Sequence, residues 1–368
     1  MRGLYIHIPF CKRKCAYCDF YSVPERLELI EPYIDAVVTE SRSYAGLSCD
    51  TLYLGGGTPS LLGATGLKKL LDGLRHNLDM SRLVEATIEV NPESITGKML
   101  SMAKTLGINR VSIGVQSLAE GELQGVGRLH TAAQAIAAIE LAQKTGFQQI
   151  SADVIIGLPG QDWQTLHTTL EILVNLGITH LSVYCLSLED GTPLALEPPG
   201  DLPSDDMQAE LFHQAKLFLQ DNGFDHYEIS NFARRGHQCQ HNLNYWRGGE
   251  YLGLGPAAAS HLNGKRFKNA PDLNAYLKNP SAIKMDVEEL RATEKAAEEV
   301  MLRLRLLEEG MSADELIRRF GGQSSGPVLK RLDRLVAQGL IIKKDSEYRL
   351  PSEQVLTSNP VFARVLGD

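Results

Sequence analysis

Leu4-Tyr5-Ile6-His7-Ile8-Pro9-Phe10-Cys11-Lys12-Arg13-Lys14-Cys15-Ala16-Tyr17-Cys18-Asp19-Phe20 reads as a β-strand running straight into a loop with three cysteines. Leu4, Ile6 and Ile8 alternate with Tyr5 and His7 at the period of an extended chain, and Pro9 ends the run. Three thiolates this close together can hold three corners of one [4Fe-4S] cubane. The loop has no fourth cysteine, so one iron keeps an open position, which a metal centre needs if it is to bind a substrate rather than only carry an electron. Two alternatives remain at this point: a structural zinc site with His7 as fourth ligand, and chance proximity. Cys49, Cys185 and Cys239 are scattered, a distribution that fits a metal site in a reducing compartment better than a disulfide framework.

Outward from this loop, short apolar runs alternate with segments of helical period up to about residue 187, the pattern of repeated βα units on a parallel sheet. Strands are expected at Leu4–Ile8, Thr51–Leu54, Ala86–Val90, Arg110–Val115, Ile150–Ile156 and His180–Tyr184. Helices are expected at Leu27–Tyr44, Gly66–His76, Thr96–Leu106, Ala132–Thr145 and Gln164–Leu176. Six repeats are two short of a closed eightfold barrel, so the fold class is α/β with a partial (βα)6 barrel. Pro193, Pro198, Pro199 and Pro203 then break regular structure. The expected domains are a barrel at 1–190, an α+β accessory region at 191–285 containing a helix at Asp206–Asn222, and a winged-helix-like C-terminal domain at 286–368. In the last of these, Ser312 and Glu315 form a capping box, a helix spans Pro327–Gln338, and the hairpin Leu340–Lys344/Tyr348–Leu350 turns at Asp345–Ser346.

Composition excludes several classes. Hydrophobic residues make up 43% and charged residues 22%, which sets aside disordered and fibrous chains. The net charge of −8, with slightly more acidic than basic residues in 286–368, argues against a nucleic-acid partner. The first residues lack a long apolar run with a cleavage site, and no stretch of 18 apolar residues follows. A cytoplasmic location without a transmembrane segment is expected.

In a β/α barrel, functional residues gather at the carboxyl ends of the strands. Gly55-Gly56-Gly57-Thr58-Pro59 follows the second strand, where absent side chains let backbone N–H groups approach a ligand. The third strand ends in Glu89-Val90-Asn91-Pro92-Glu93 and the fourth in Gln116-Ser117; Asp153 is read at the start of the fifth. Polar residues in apolar strands are costly unless paired, so their recurrence points to a shared polar ligand. Singly, each also has a structural reading, Glu89 as a surface charge, Gln116 as a turn former and Asp153 as a hydrogen-bond anchor.

The run from Tyr5 to Phe20, the glycine run and the order of the later segments resemble the radical S-adenosylmethionine (SAM) family over nearly the whole chain. The narrower resemblance is to oxygen-independent coproporphyrinogen III oxidases and their HemW-type heme-chaperone relatives. It implies a [4Fe-4S] cluster on Cys11, Cys15 and Cys18, with SAM bound through its amino and carboxylate groups at the open iron. One electron then cleaves the sulfonium to a 5′-deoxyadenosyl radical. Tyr5, Gly56 and Glu89 match positions that hold this SAM, and Gly57, Thr58, Gln116, Arg128 and Asp153 match positions around a second SAM in the oxidases. No residue is assigned as a catalytic acid, base or nucleophile.

Two features separate the branches. The oxidases carry a cysteine where this chain has Phe20, whereas the chaperone-like branch has Cys-Asp-Phe, as at Cys18, Asp19 and Phe20, and His-Asn-x-x-Tyr-Trp, as at His241, Asn242, Tyr245 and Trp246. Neutral imidazole can ligate heme iron, and Tyr and Trp can cover a porphyrin. The same side chains can equally seal a domain interface, and His237, Cys239 and His241 can form a metal site or have no chemical role. The resemblance implies a heme chaperone without coproporphyrinogen oxidase activity. Its expected partners are heme, a heme-acceptor protein of the respiratory kind and a one-electron donor such as a flavodoxin. The alternative is an oxidase forming protoporphyrinogen IX by radical decarboxylation.

Overall fold

Six strands pair in parallel, in chain order, with one register shift near the end of the fourth: Arg2–Ile8 (β1), Thr51–Gly56 (β2), Glu85–Val90 (β3), Arg110–Gln116 (β4), Gln149–Ile156 (β5) and His180–Cys185 (β6). The structure is a computed structural model that describes residues 1–281 and 284–367. Strand alternation gives the two faces different chemistry. Leu4, Ile6, Ile8, Leu52, Leu54, Ile88, Val111, Ile113, Ala152 and Val154 are buried at no more than 1% exposure. The alternate positions are polar: Tyr53, Glu89, Ser112 and Asp153 are hydrogen-bonded to one another or to the glycine turn, and the Tyr5 ring lies beside that of Tyr53.

The apolar face is covered by Ile30–Ser41 (α1), Gly63–Asn77 (α2), Gly97–Thr105 (α3), Ala132–Lys144 (α4) and Trp163–Asn175 (α5). In α2, Leu67, Leu70, Leu71 and Leu74 recur at helical spacing and are all fully buried, each contributing about 1.5–3 kcal/mol. Thr131 with Gln134 and Asp162 with Thr165 close capping boxes at the starts of α4 and α5. The partial barrel and its helices thus form where the periodicity places them. Asp153, read at a strand start, instead sits in the middle of β5.

The accessory segment widens this sheet. After the helix Asp205–Asp221 (α6) comes Asp225–Glu228 (β7), which pairs antiparallel with Asn231–Ala233 (β8), itself antiparallel to β6. The short helix Gln240–Trp246 (α7) leads into Glu250–Leu254 (β9), which pairs in parallel with the free edge of β1. Ala259–Leu262 (β10), Lys265–Asn269 (β11) and Lys284–Glu288 (β12) follow antiparallel. Among the described residues the sheet therefore has twelve strands in the order β12-β11-β10-β9-β1-β2-β3-β4-β5-β6-β8-β7. The boundary drawn at 286 falls within β12, which belongs to this sheet.

The C-terminal part is winged-helix-like. Ala292–Arg303 (α8) packs on Ala313–Ala337 (α9), which is broken at Gly321 (φ 73°), and on Ser358–Leu366 (α10). Ile342–Lys344 (β13) and Glu347–Arg349 (β14) form the expected hairpin, with Asp345 left-handed at its turn. Ser312 accepts from the Glu315 N–H, but the Glu315 carboxylate turns to Arg303 at 3.0 Å, so only half of the expected capping box forms.

Candidate functional site

The cysteine loop lies over the carboxyl ends of the strands. Phe10–Cys11 pairs briefly with Val23–Pro24, and the Cys18 N–H donates to the Cys15 carbonyl at 3.2 Å, folding the loop into a turn. Cys11, Cys15 and Cys18 line one cavity of about 330 Å³ together with Gly56, Gly57, Thr58, Glu89, Gln116, Arg128 and Asp153. Seven of the eight residues singled out for SAM therefore meet the three cysteines. Tyr5 lies deeper, with its hydroxyl 3.1 Å from His7 Nδ1, and lines a second cavity.

A chain of polar contacts joins two of the thiols. Thr58 Oγ1 donates to Cys11 Sγ (3.7 Å), and Asn91 Nδ2 donates to Thr58 Oγ1 (3.0 Å). Arg128 binds Asn91 Oδ1 (3.0 Å), the Gly114 carbonyl (2.7 Å) and Cys15 Sγ (3.6 Å). A fixed cation and a hydroxyl beside the sulfurs favour thiolate and orient it, the role of the partners that surround metal ligands. Asn91 is a site residue that sequence reasoning passed over, although it stands in the polar run ending the third strand. Burial raises the Cys11 thiol and pushes Cys18 up to about 11, so metal binding there must displace protons.

Glycine is required at this mouth. Gly56 has φ 107°, and a Cβ there would fall 2.7 Å from His7 Nδ1; at Gly57 it would fall 2.6 Å from the Phe10 carbonyl and 3.0 Å from Cys11 Sγ. Gln116 is itself left-handed (φ 66°) at a register shift, which re-aims its side chain at the end of β4.

The zinc alternative loses its fourth ligand. His7 holds Tyr5 Oη through Nδ1 and the Tyr21 carbonyl (2.8 Å) through Nε2, so both nitrogens are committed. Among the described residues no three His, Cys, Asp or Glu side chains converge on a single ion. A cubane takes each thiolate on a separate iron and needs no common point, and the donor set with its glycine cradle fits it.

Glu89 accepts from Tyr53 Oη (2.8 Å) and the Gly56 N–H (3.1 Å), while Ser112 donates to Asp153 (3.1 Å). Burial, then the neighbouring Asp153 charge, pushes Glu89 up to about 7; burial pushes Asp153 up to about 6. Two carboxyls poised near neutrality suit a cationic ligand, and Glu89 is no surface charge.

The second cavity, about 870 Å³, opens beside the first and shares Asp19, Phe20, Gly56, Glu89 and Tyr184 with it. Tyr5, Tyr53, Tyr245, Trp246 and Tyr251 supply aromatic wall, and His261, Arg266 and Lys268 lie along it. Phe20 is 61% exposed where the cavities meet.

His241 and Asn242 also line this space, but His241 is a structural plug. It is 1% exposed, its Nδ1 meets Thr51 Oγ1 at 2.8 Å, its Nε2 meets Tyr245 Oη at 2.7 Å, and its ring stacks on Tyr53. Burial lowers it to about 3, so it is neutral, but neither nitrogen is available to iron in this arrangement. Nor do His237, Cys239 and His241 form a metal site, since His237 Nδ1 meets Gln149 and Cys239 Sγ meets Glu85. Trp246 packs with Tyr227, Leu243 and Leu306, the interface-sealing role, while still reaching the cavity.

Comparison with known proteins agrees with this geometry. Residues 5–173 match the Radical SAM superfamily. The chain is 33% identical to the heme chaperone HemW of Lactococcus lactis over 99% of its length and 97% of the relative's. It is 32% identical to the Bacillus subtilis HemW over the full length of both, and 33% identical to that of Escherichia coli over 100% and 98%. The fold matches the E. coli coproporphyrinogen III oxidase HemN, a radical SAM enzyme, with a TM-score of 0.86 over 99% of this chain and 89% of that one, at 22% identity. With a cysteine cradle of radical SAM type and full-length likeness to curated relatives, the chain belongs to the HemW family within the radical SAM superfamily.

Proposed function

We propose that this protein binds heme in the larger cavity and passes it to an acceptor protein, holding a [4Fe-4S] cluster and SAM in the smaller one. The observation that carries this reading is a large aromatic-walled space sharing a wall with the cysteine mouth, in a chain of the HemW family. Cys11, Cys15 and Cys18 hold the cluster, which with SAM supplies one-electron chemistry at its open iron. Glu89 and Asp153 face the cationic groups of SAM, Gly56 and Gly57 allow its close approach, and Thr58 and Arg128 steady the sulfurs. We assign three functional parts: the barrel (1–190) carries the cluster and SAM, the accessory region from 191 to the end of β12 encloses the heme space together with the barrel, and the terminal domain beyond it is a lid or docking unit. A heme-dependent respiratory protein as acceptor, a flavodoxin-like electron donor and a cytoplasmic location complete the reading; no helix among the described residues is long and apolar enough to cross a membrane.

Phe20 supports the chaperone reading. It replaces the additional cysteine of the oxidases with an apolar ring, so no thiol stands between the two cavities at that position. The test uses anaerobically reconstituted protein incubated separately with heme and with coproporphyrinogen III, SAM and a strong reductant. Stoichiometric heme binding without formation of protoporphyrinogen IX is expected. Robust SAM-dependent decarboxylation would establish the oxidase alternative.

A further inference from the structure

On the sheet extension beside the heme space, Tyr251 of β9 pairs with His261 of β10, His261 pairs with Arg266 of β11, and Ala259 pairs with Lys268. Pleating puts such partners, and residues two apart, on one face, and all five line the cavity. We propose, resting on the heme-carrier reading, that His261 ligates the heme iron through Nε2 while Arg266 and Lys268 receive the propionates.

His261 has what His241 lacks. Its Nδ1 faces the Gly249 carbonyl at 3.4 Å, so a proton held there leaves the Nε2 lone pair directed elsewhere. It is half-buried beside Tyr251, with ring centroids 6.1 Å apart, and burial lowers its proton affinity, keeping the imidazole neutral as a metal requires. Ligation by His241 would instead break a bond to Thr51 or Tyr245 at a side chain only 1% exposed. Two cations line the same cavity as His261. Arg266 pairs with Glu298 through Nη1, leaving Nε and Nη2 for a second carboxylate, and Lys268 pairs with Asp286 at the rim. Both are partly exposed, so an incoming propionate can share or exchange these partners at little cost.

The test is a titration of the full, cluster-loaded chain with ferric heme under anaerobic conditions, followed in the Soret region and by EPR. The wild type should bind near one heme per chain. His261→Ala should change the ligation spectrum and weaken binding by at least about tenfold, since losing a ligand costs no less than losing the partner that orients one. His261→Gly should regain the ligated spectrum on adding imidazole, which a merely structural histidine would not permit. His241→Ala should keep the wild-type ligation spectrum. The double variant Arg266→Ala/Lys268→Ala should weaken heme but not heme dimethyl ester, which lacks the carboxylates. If the wild type binds heme and His261→Ala leaves spectrum and affinity unchanged, the ligand assignment is overturned and the carrier reading stands. If the wild type binds no heme, the carrier reading itself falls. Equal weakening of heme and its ester would overturn the propionate assignment.

Discussion

At Glu89 and Asp153 the lumen keeps two carboxyls poised at about 7 and about 6, raised chiefly by burial. A ligand bearing ammonium and sulfonium charge favours their ionised forms. SAM affinity should therefore rise from pH 5.5 to about 8, by up to about tenfold per pH unit for each linked proton, and level off above. Glu89→Gln should weaken binding at pH 8 and flatten the profile; calorimetry across that range is the check, and an unchanged profile would remove Glu89 from the ligand. The unliganded fold shows the reverse trend. Both groups bind protons more tightly folded than unfolded, so their stabilising contribution is present below about pH 4 and is lost as pH rises through 6 to 7. Glu89→Gln should consequently raise the thermal midpoint of SAM-free protein at pH 8. These two residues were legible in the sequence because charge inside an apolar strand demands a partner. His241 stayed open between heme ligand and interface seal in the sequence because a motif shows residue types and not which ring nitrogens are already bonded.

Among the elements, α1 carries the least expected device. Glu40 is fully buried and accepts from the Gly255 N–H (3.0 Å), Asn269 (2.9 Å), Tyr276 (2.6 Å) and Lys284 (2.8 Å), so one carboxylate ties the accessory strands to the barrel. Removing one side of such a network strands the rest: Glu40→Ala should cost about 3–5 kcal/mol and Glu40→Gln less. Urea unfolding of the full chain measures this, and a loss below about 0.5 kcal/mol would show the network to be idle. In the sequence Glu40 is one more charge on a helix, since its partners lie more than two hundred residues away. Strand β9 was hidden for a related reason. Gly248, Gly249, Gly253 and Gly255 dilute any strand period there, yet a Cβ at Gly253 would come within 2.1 Å of the Ala259 carbonyl, so the glycine permits a tight strand crossing. The six barrel strands and their helices were legible because each has its own local period; β7 to β12 are short and take their identity from the neighbours they join.

For the molecule as a whole, Arg305 is the rivet between parts. Its guanidinium lies over Trp246 (5.1 Å) and Phe362 (4.6 Å), joining the helix of the His-Asn-x-x-Tyr-Trp motif to the last helix of the terminal domain. Leu307 N–H to the Tyr227 carbonyl and the Arg247–Glu309 pair hold the same seam. Cation–π contacts are worth about 0.5–2 kcal/mol each, and they add to the Lys216–Ser352 hydrogen bond, the Arg266–Glu298 pair and the packing of Leu306 on Tyr227 and Leu243. Arg305→Ala should speed amide exchange in Ala292–Arg303 and Ser358–Leu366 while leaving cluster iron content unchanged. Exchange that stays at the wild-type rate would mean that the terminal domain is held by its other contacts.

The position of β1 also has a consequence for biosynthesis. Gly3 pairs with Thr51 on one side and with Tyr251 on the other. On the ribosome the first partner emerges early and the second only after most of the chain, a lag of roughly 10–40 s at ordinary elongation rates. For that interval the nascent polypeptide offers an unzipped parallel edge, a template for wrong pairing between neighbouring chains on a polysome. Stalled nascent chains released just before and just after Leu254 has cleared the exit tunnel should differ sharply in protease resistance, with the shorter ones aggregating.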